Sequence, residues 1–349
     1  MRVAVVGASG NVGTSVVGAL SAAAEVDQIV GLARRLPELE LPKLRWAQAD
    51  VVSDDLEPHF RGADAVVHLA WAIQPQHDEE LLQRTNVAGS GRVFEAAAAA
   101  GVSSLVYASS VGAYAPGPKD RFVDESWSTD GIESSIYSRQ KAAVERLLDR
   151  FEAAHPEMRV VRLRPGLIFK AEAASEIRRL FLGPLFPRFL ADPRLIPAVP
   201  RTPRLRFQAV HSHDVGEAYR LAVLGAAHGA FNIAAEPAIG PPELARLLGA
   251  REVPVPARVL RAAANLSWRA HLQPAGPGWV DMALGVPLMD TARAREELGW
   301  EPRSSSLQAL ADLLRGLREG RGAATPPLDP RTAGPARLGE LATGIGQRQ

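Results

Sequence analysis

Residues 3–20 constrain the fold of this chain more than any other stretch. The apolar run Val3–Val6 meets a turn carrying Gly7, Gly10 and Gly13, and Val16, Val17 and Leu20 then recur at helical spacing. A Val-rich run of four suits a strand buried on both faces, and the later periodicity suits a helix packed on the same sheet. The glycines between them have separate uses. Gly7 can take the tight bend, Gly10 lets the backbone approach a phosphate, and Gly13 lets helix and strand pack closely. The helix N-terminus adds free N–H groups and the positive end of its dipole. Ser9, Asn11 and Val12 complete a turn that fits a dinucleotide pyrophosphate. The spacing is Gly-x-x-Gly-x-x-Gly rather than Gly-x-Gly-x-x-Gly, and a glycine pattern by itself is weak; the flanking strand and helix strengthen it.

The 349 residues suffice for one large or two closely joined domains with a sizeable core. A formal net charge of +1 gives no reason to expect nucleic acid or an anionic membrane as partner. The chain has no cysteine, which excludes disulfides, thiolate metal sites and a Cys nucleophile and fits a cytoplasmic protein. No apolar run approaches the roughly 18 residues of a membrane span.

Further strands are expected at Gln28–Leu32, Leu44–Ala49, Ala63–Ala70, Ser104–Ala108, Arg159–Leu163 and Phe231–Ala234, mostly alternating with helical patterns. That alternation predicts an α/β fold, a Rossmann doubly wound parallel sheet, with ligands at the C-terminal strand ends. The second strand runs into Ala33-Arg34-Arg35. An acidic residue there would hold the adenosine ribose and repel a 2′-phosphate, whereas arginines favour that phosphate, so NADP is expected, with NAD possible. The bland alternative is a solvated basic turn before Pro37. Asp50 and Val51 follow the third strand, where a carboxylate can meet the adenine amine. Leu69, Ala70 and Trp71 close the fourth. His68, within an apolar run and without a partner, reads as a core histidine. Glu79–Ala100 reads as one long helix containing Asn86 and capped by Gly101.

Ala108 ends the fifth strand, with Ser109 and Ser110 at its exit. Residues 114–132 have the composition of an active-site loop, and Ser134 or Ser135 can cap the helix beyond. That helix carries Tyr137 and Lys141, one turn and about 6 Å apart on one face. With four tyrosines and four lysines in 349 residues, chance gives only about 0.05 such pairs, so the motif is specific. Its chemistry is hydride transfer. An alcohol oxidised to a ketone must lose its O–H proton, and a tyrosine of reference pKa about 10 is too weak a base until a cation favours the phenolate. Lys141 supplies the cation and Ser110 can hydrogen-bond the reacting oxygen.

Beyond the sixth strand the alternation stops. Arg178–Arg206 is read either as a lid or as a surface insertion. His211 and His213 lack a third ligand, so no metal is expected, and Asp214 reads as the N-cap of the next helix. Ser304 is expected to cap a last amphipathic helix with Leu307, Leu310, Leu314 and Leu317. Dinucleotide binding is assigned to 1–166 and 208–234 and a smaller C-terminal substrate-binding lobe to 167–207 and 235–318. Residues 319–349 read as a disordered tail.

Taken together, GASGNVG at 7–13, HLA at 68–70, Asn-Val-x-Gly at 86–89, YASS at 107–110, YSRQK at 137–141, RPG at 164–166, VHSHDV at 210–215, FNIA at 231–234 and the Asp290–Pro302 segment resemble the extended short-chain dehydrogenase/reductase family, epimerase/dehydratase branch. The resemblance covers the chain to about residue 318. It implies Ser110, Tyr137 and Lys141 as catalytic positions, with Lys141 also touching the nicotinamide ribose. The expected cofactor contacts are completed by Asn86, Pro165 and Ile168. It also implies a homodimer in which the Asn86 and Tyr137 helices pair with their copies, through Ala96, Ala97 and Ala100 on one and Leu147 and Phe151 on the other. Two positions depart from the pattern: Arg164 stands where the sugar-nucleotide epimerases usually have Asn, and Lys170 where Gly is common. The reading is an NADP-dependent enzyme acting on a small-molecule secondary alcohol or ketone. The alternatives are a nucleotide-sugar epimerase or dehydratase holding NAD, and a non-catalytic dinucleotide sensor.

Overall fold

The computed structural model describes residues 1–74, 77–182, 192 and 195–330. Seven parallel strands form the central sheet: β1 (Arg2–Val6), β2 (Gln28–Ala33), β3 (Leu44–Gln48), β4 (Ala65–His68), β5 (Ser104–Ala108), β6 (Arg159–Pro165) and β7 (Gly229–Ile233). Their order is β7-β6-β5-β4-β1-β2-β3. The principal helices are α1 (Asn11–Ala22), α2 (Gly89–Ala99), α3 (Ile136–Ala154), α4 (Ser212–Leu224) and α5 (Ser306–Glu319).

Strand alternation creates the two layers. Val3 and Val5 point into a core with Val16, Val17 and Leu20 of α1 and Tyr219 and Ala222 of α4. Ala4 and Val6 point the other way, into a core with Phe94 of α2 and Val144, Leu148 and Phe151 of α3. Successive residues of a strand face opposite sides, so a strand apolar at every position needs helices on both faces. The run Val3–Val6 therefore required this doubly wound architecture. The strand order reverses beside β1, which pairs in parallel with β2 on one side and β4 on the other, and the crevice opens at their C-terminal ends.

A smaller core brings Phe169, Ala209 and Ile239 against Ala309, Leu310, Leu313 and Leu317 of α5. The Asp290–Pro302 segment, assigned to the C-terminal lobe, returns to the sheet: Trp300 is fully buried in the α1/α4 layer and its Nε1 donates to the Asp214 carbonyl at 2.7 Å.

Several local expectations need correction. The long helix is interrupted: Glu79–Gln83 and α2 flank a wider π turn over Arg84–Ala88, which contains Asn86. Helix α4 is capped by His211, whose ring accepts the His213 N–H at 3.2 Å, and not by Asp214. Asp214 serves a neighbour instead, its Oδ2 accepting the Ser304 N–H at 3.0 Å. Helix α5 is capped by Ser305, one residue later than expected, in a capping box with Gln308. The chain beyond Gly320, expected to lack order, stays packed through its first ten residues: Leu328 and Thr325 are buried and Ser175 Oγ donates to the Arg321 carbonyl. Residues 331–349 lie outside the described residues, as do 183–191, 193 and 194 of the expected lid segment.

Candidate active site

A cavity of about 850 Å³ occupies the C-terminal edge of the sheet at the switch point. The glycine turn forms one end. Gly7 has φ +82°, and a Cβ on Gly13 would lie 2.3 Å from the Gly7 carbonyl oxygen, so both positions require glycine. A Cβ on Gly10 would meet nothing closer than 3.8 Å, which leaves open space in front of the turn. No side chain caps α1. The Glu176 carboxyl instead accepts the Asn11 N–H, and burial raises its pKa, so an acidic side chain already stands at this helix end. The donor set and the open approach fit a pyrophosphate. Lys170 locks the turn from behind, donating to the Asn11 carbonyl and to Thr14 and Ser15 at 2.6–3.0 Å. Burial lowers its pKa to about 8. A glycine there could make none of these bonds, so Lys170 is structural.

Ala33, Arg34, Arg35, Asp50 and Val51 line the adjoining part of the cavity. Arg179 joins them from the C-terminal half, a residue without any signal in the spacing of the chain. Burial and then the like charges of Arg179 and Arg34 lower the pKa of Arg35. Guanidinium groups crowded in this way gain from an intervening anion. The Asp50 side chain accepts the Val52 N–H at 2.9 Å.

At the other end of the strand edge stand Ser110, Tyr137 and Lys141, all on the cavity wall. Ser110 follows β5 and caps the short turn Val111–Ala113, accepting the Gly112 N–H at 3.0 Å. Helix α3 starts at the Ser135 cap, which puts Tyr137 in its first turn and Lys141 one turn on. Burial raises the Tyr137 phenol to about 12, and a hydrogen bond with Ser110 opposes this. Lys141 Nζ donates to the Ala108 carbonyl at 2.7 Å and lies 3.4 Å from the centre of the Trp71 ring. Burial lowers its pKa well below the ordinary lysine value, and Glu145 opposes that shift. The expected lowering of the tyrosine by lysine is therefore absent here: the ammonium faces the indole and a carbonyl, and is 5.8 Å from the Tyr137 ring centre.

Behind the serines is an ion cluster that sequence reasoning missed. Glu145, fully buried, accepts from Arg164 Nε and Nη2 at 2.9 and 3.0 Å, from Arg162 at 3.0 Å and from Ser109 at 2.5 Å. Burial would raise its carboxyl, but Arg164, Arg162 and Ser109 together hold it at about 2. Arg164 also donates to the Tyr114 hydroxyl and the Glu125 carbonyl. Arg164 thus fastens β6, α3 and the loop after β5 together.

The remaining expected cofactor residues, Ser9, Gly10, Val12, Leu69, Ala70, Trp71, Ala108, Pro165 and Ile168, line the same cavity. Asn86 does not. Its amide is consumed by the backbone N–H and carbonyl of Ala72 and by Gln140, at 2.7–2.8 Å, so it positions the segment after β4 against α3. His68 is a core residue: it pairs with Ser90 at 2.9 Å and burial lowers it to about 3. Among the described residues no group of three or more His, Asp or Glu side chains could hold a metal, and no helix is long and apolar enough to cross a membrane. Of the faces expected to dimerise, Ala97 and Phe151 are buried in the chain's own core, while Ala96, Ala100 and Leu147 are partly exposed.

Residues 3–234 match the model of the NAD dependent epimerase/dehydratase family. An uncharacterized protein of Mycobacterium tuberculosis is 27% identical over 299 residues, covering 82% of this chain and 75% of that one. The L-arabinose 1-dehydrogenase (NAD(P)(+)) of Haloferax volcanii is 38% identical over 109 residues, 31% of this chain and 40% of the relative. Among solved structures, dTDP-glucose 4,6-dehydratase from Streptomyces venezuelae with NAD bound superposes with a TM-score of 0.68 at 20% identity, covering 94% of this chain and all of that one.

Proposed function

Because this chain belongs to the NAD dependent epimerase/dehydratase family and is an NAD(P)-dependent oxidoreductase or epimerase, we propose that it reduces a ketone, or oxidises the corresponding secondary alcohol, with Tyr137 as the acid and base and NADP as the preferred dinucleotide. The observation that carries this reading is the convergence of the glycine turn and of Ser110, Tyr137 and Lys141 on one cavity. Gly7–Gly13 would hold the pyrophosphate, Arg34, Arg35 and Arg179 the 2′-phosphate, and Lys141 the nicotinamide ribose. The bound dinucleotide supplies or accepts the hydride.

The protein's own groups handle the proton. In reduction, Ser110 hydrogen-bonds the substrate oxygen and the Tyr137 hydroxyl gives it a proton as hydride reaches the carbon. A phenol held at about 12 is fully protonated at neutral pH, which suits the reductive direction. In oxidation Tyr137 must take that proton, and the Lys141 charge would have to move from the Trp71 face toward the phenolate.

Tyr137→Phe should remove nearly all turnover and leave dinucleotide affinity within a few-fold, whereas Lys141→Ala should damage both. Turnover of Tyr137→Phe within a few-fold of the unchanged protein would refute the assignment. The likeness to a sugar-nucleotide dehydratase structure with NAD bound favours a second reading, epimerisation or dehydration with retained cofactor. Retained dinucleotide and inverted product stereochemistry would select it. A homodimer built on the exposed remainder of the α2 and α3 faces belongs to the same proposal.

A further inference from the structure

We propose that the substrate is a bulky secondary alcohol or ketone with a largely hydrocarbon skeleton, and that the cavity wall around Tyr137 disfavours nucleotide sugars. The inference rests on the assignment of Tyr137 as the reacting group and follows from what surrounds it.

The Tyr137 ring lies 5.0 Å from that of Trp279, and Trp279 lies 4.9 Å from Phe181. Trp71 stands on the other side at 5.8 Å. Met282, Val286 and Ile132 pack into the same cluster, and Phe207 lines the cavity beyond it. The substrate side of the tyrosine is thus a set of aromatic and aliphatic surfaces drawn from well-separated segments of the chain.

The charged side chains on the cavity wall, among the described residues, are Arg34, Arg35, Asp50, Lys141, Glu176 and Arg179. Lys141 is the catalytic position. Glu176 meets the Asn11 N–H, and Arg34, Arg35 and Arg179 act on one another, which places these with Asp50 at the dinucleotide end. Gln208 is a buried polar side chain on this wall, and both ends of its amide are taken by the Met289 backbone, at 2.6 and 3.0 Å. Behind this wall, buried Lys119 donates to the carbonyls of Ala283 and Arg206, and Arg204, on the exposed side, donates to those of Leu284 and Gly117.

A nucleotide sugar brings two ionised phosphates and several hydroxyls, each needing a partner when it leaves water. For hydroxyls this wall offers the Ser110 and Tyr137 hydroxyls and the unpaired indole N–H groups of Trp71 and Trp279, and for phosphates it offers no cation among its described residues beyond Lys141 and those of the dinucleotide end. A hydrocarbon skeleton needs no such partner, and gains from every methylene it buries.

The test uses the full chain with NADPH and a ketone series from cyclohexanone through a decalone to a steroid ketone, beside UDP-glucose and dTDP-glucose with oxidised NADP and NAD. Cofactor absorbance reads net reduction or oxidation, chromatography of the products reads epimerised or dehydrated nucleotide sugar, and tryptophan quenching in Tyr137→Phe reads binding without chemistry. We expect affinity to rise about fourfold per added buried methylene, and the best ketone to exceed either nucleotide sugar about a hundredfold in kcat/KM. Trp279→Ala should weaken ketone binding about tenfold. A flat carbon series, no ketone binding, or turnover of a nucleotide sugar at a comparable rate would overturn the inference. If large ketones bind but are never reduced, the substrate class stands and the catalytic assignment fails.

Discussion

Replacing Glu145 by Gln probes how Ser109, the exit of β5 and helix α3 are held in register. The carboxylate is fully buried and neutralises part of the charge of two buried guanidinium groups, Arg162 and Arg164. Its pKa falls from 4.5 to about 2 on folding. At about 1.4 kcal/mol per unit, that difference corresponds to roughly 3 kcal/mol of stability at pH 7. The independent expectation for breaking a buried ion pair from one side is about 3–5 kcal/mol. Arg162 retains Asp149 and Glu152, and Arg164 retains Tyr114 and the Glu125 carbonyl, so the lower end applies. The sign follows from a folded pKa below the unfolded one. The contribution is complete above about pH 4.5 and is lost as pH falls toward 2. Urea unfolding of both proteins should show Glu145→Gln less stable by about 3 kcal/mol at pH 7, with roughly half that gap at pH 3. A loss under 1 kcal/mol at pH 7, or an equal gap at both pH values, would show that the cluster does not hold the carboxylate as described.

Cofactor choice follows from the end of β2. Arg34 and Arg35 are exposed, so each charge-assisted bond to a 2′-phosphate belongs at the low end of about 1.5–3 kcal/mol. One such bond gives NADP about a tenfold tighter dissociation constant than NAD, and Ala33→Asp with Arg34→Ala should reverse the order. Tighter NAD binding by the unchanged protein would return the arginines to the status of a solvated turn. Sedimentation at micromolar concentration should give twice the chain mass if α2 and α3 pair with their copies, and the mass of one chain if they pack only on their own sheet.

How much of this was legible in the sequence depended on the range of the interaction. All seven sheet strands and the glycine turn were: the first strand because burial on both faces requires it to be apolar at every position, the others from short apolar runs between helical patterns, and the turn because a left-handed conformation or a 2.3 Å approach leaves only glycine. The Tyr137–Lys141 pair was legible because one helical turn fixes their common face. Caps were placed to within a few residues only. Several polar residues near Ser304 and Asp214 are chemically able to cap, and tertiary partners decided among them: Asp214 was drawn to Ser304 and Trp300, which left the cap to His211.

What only the tertiary structure decided is the company each charge keeps. Glu145 reads in sequence as one more acid on a helix, and Arg164 as a departure from a motif; 19 residues apart, they meet as a buried pair behind the active site. Asn86 reads as a cofactor ligand, and its amide is spent on Ala72 and Gln140. Arg179 reaches the expected phosphate site from a segment without periodicity, and Trp279 and Phe181 build the wall beside Tyr137 in the same way. Hydrophobic period and backbone sterics are local and leave a local record in the sequence. Ion pairs and pocket walls form between residues far apart in the chain, so nothing in the spacing of either partner announces the other.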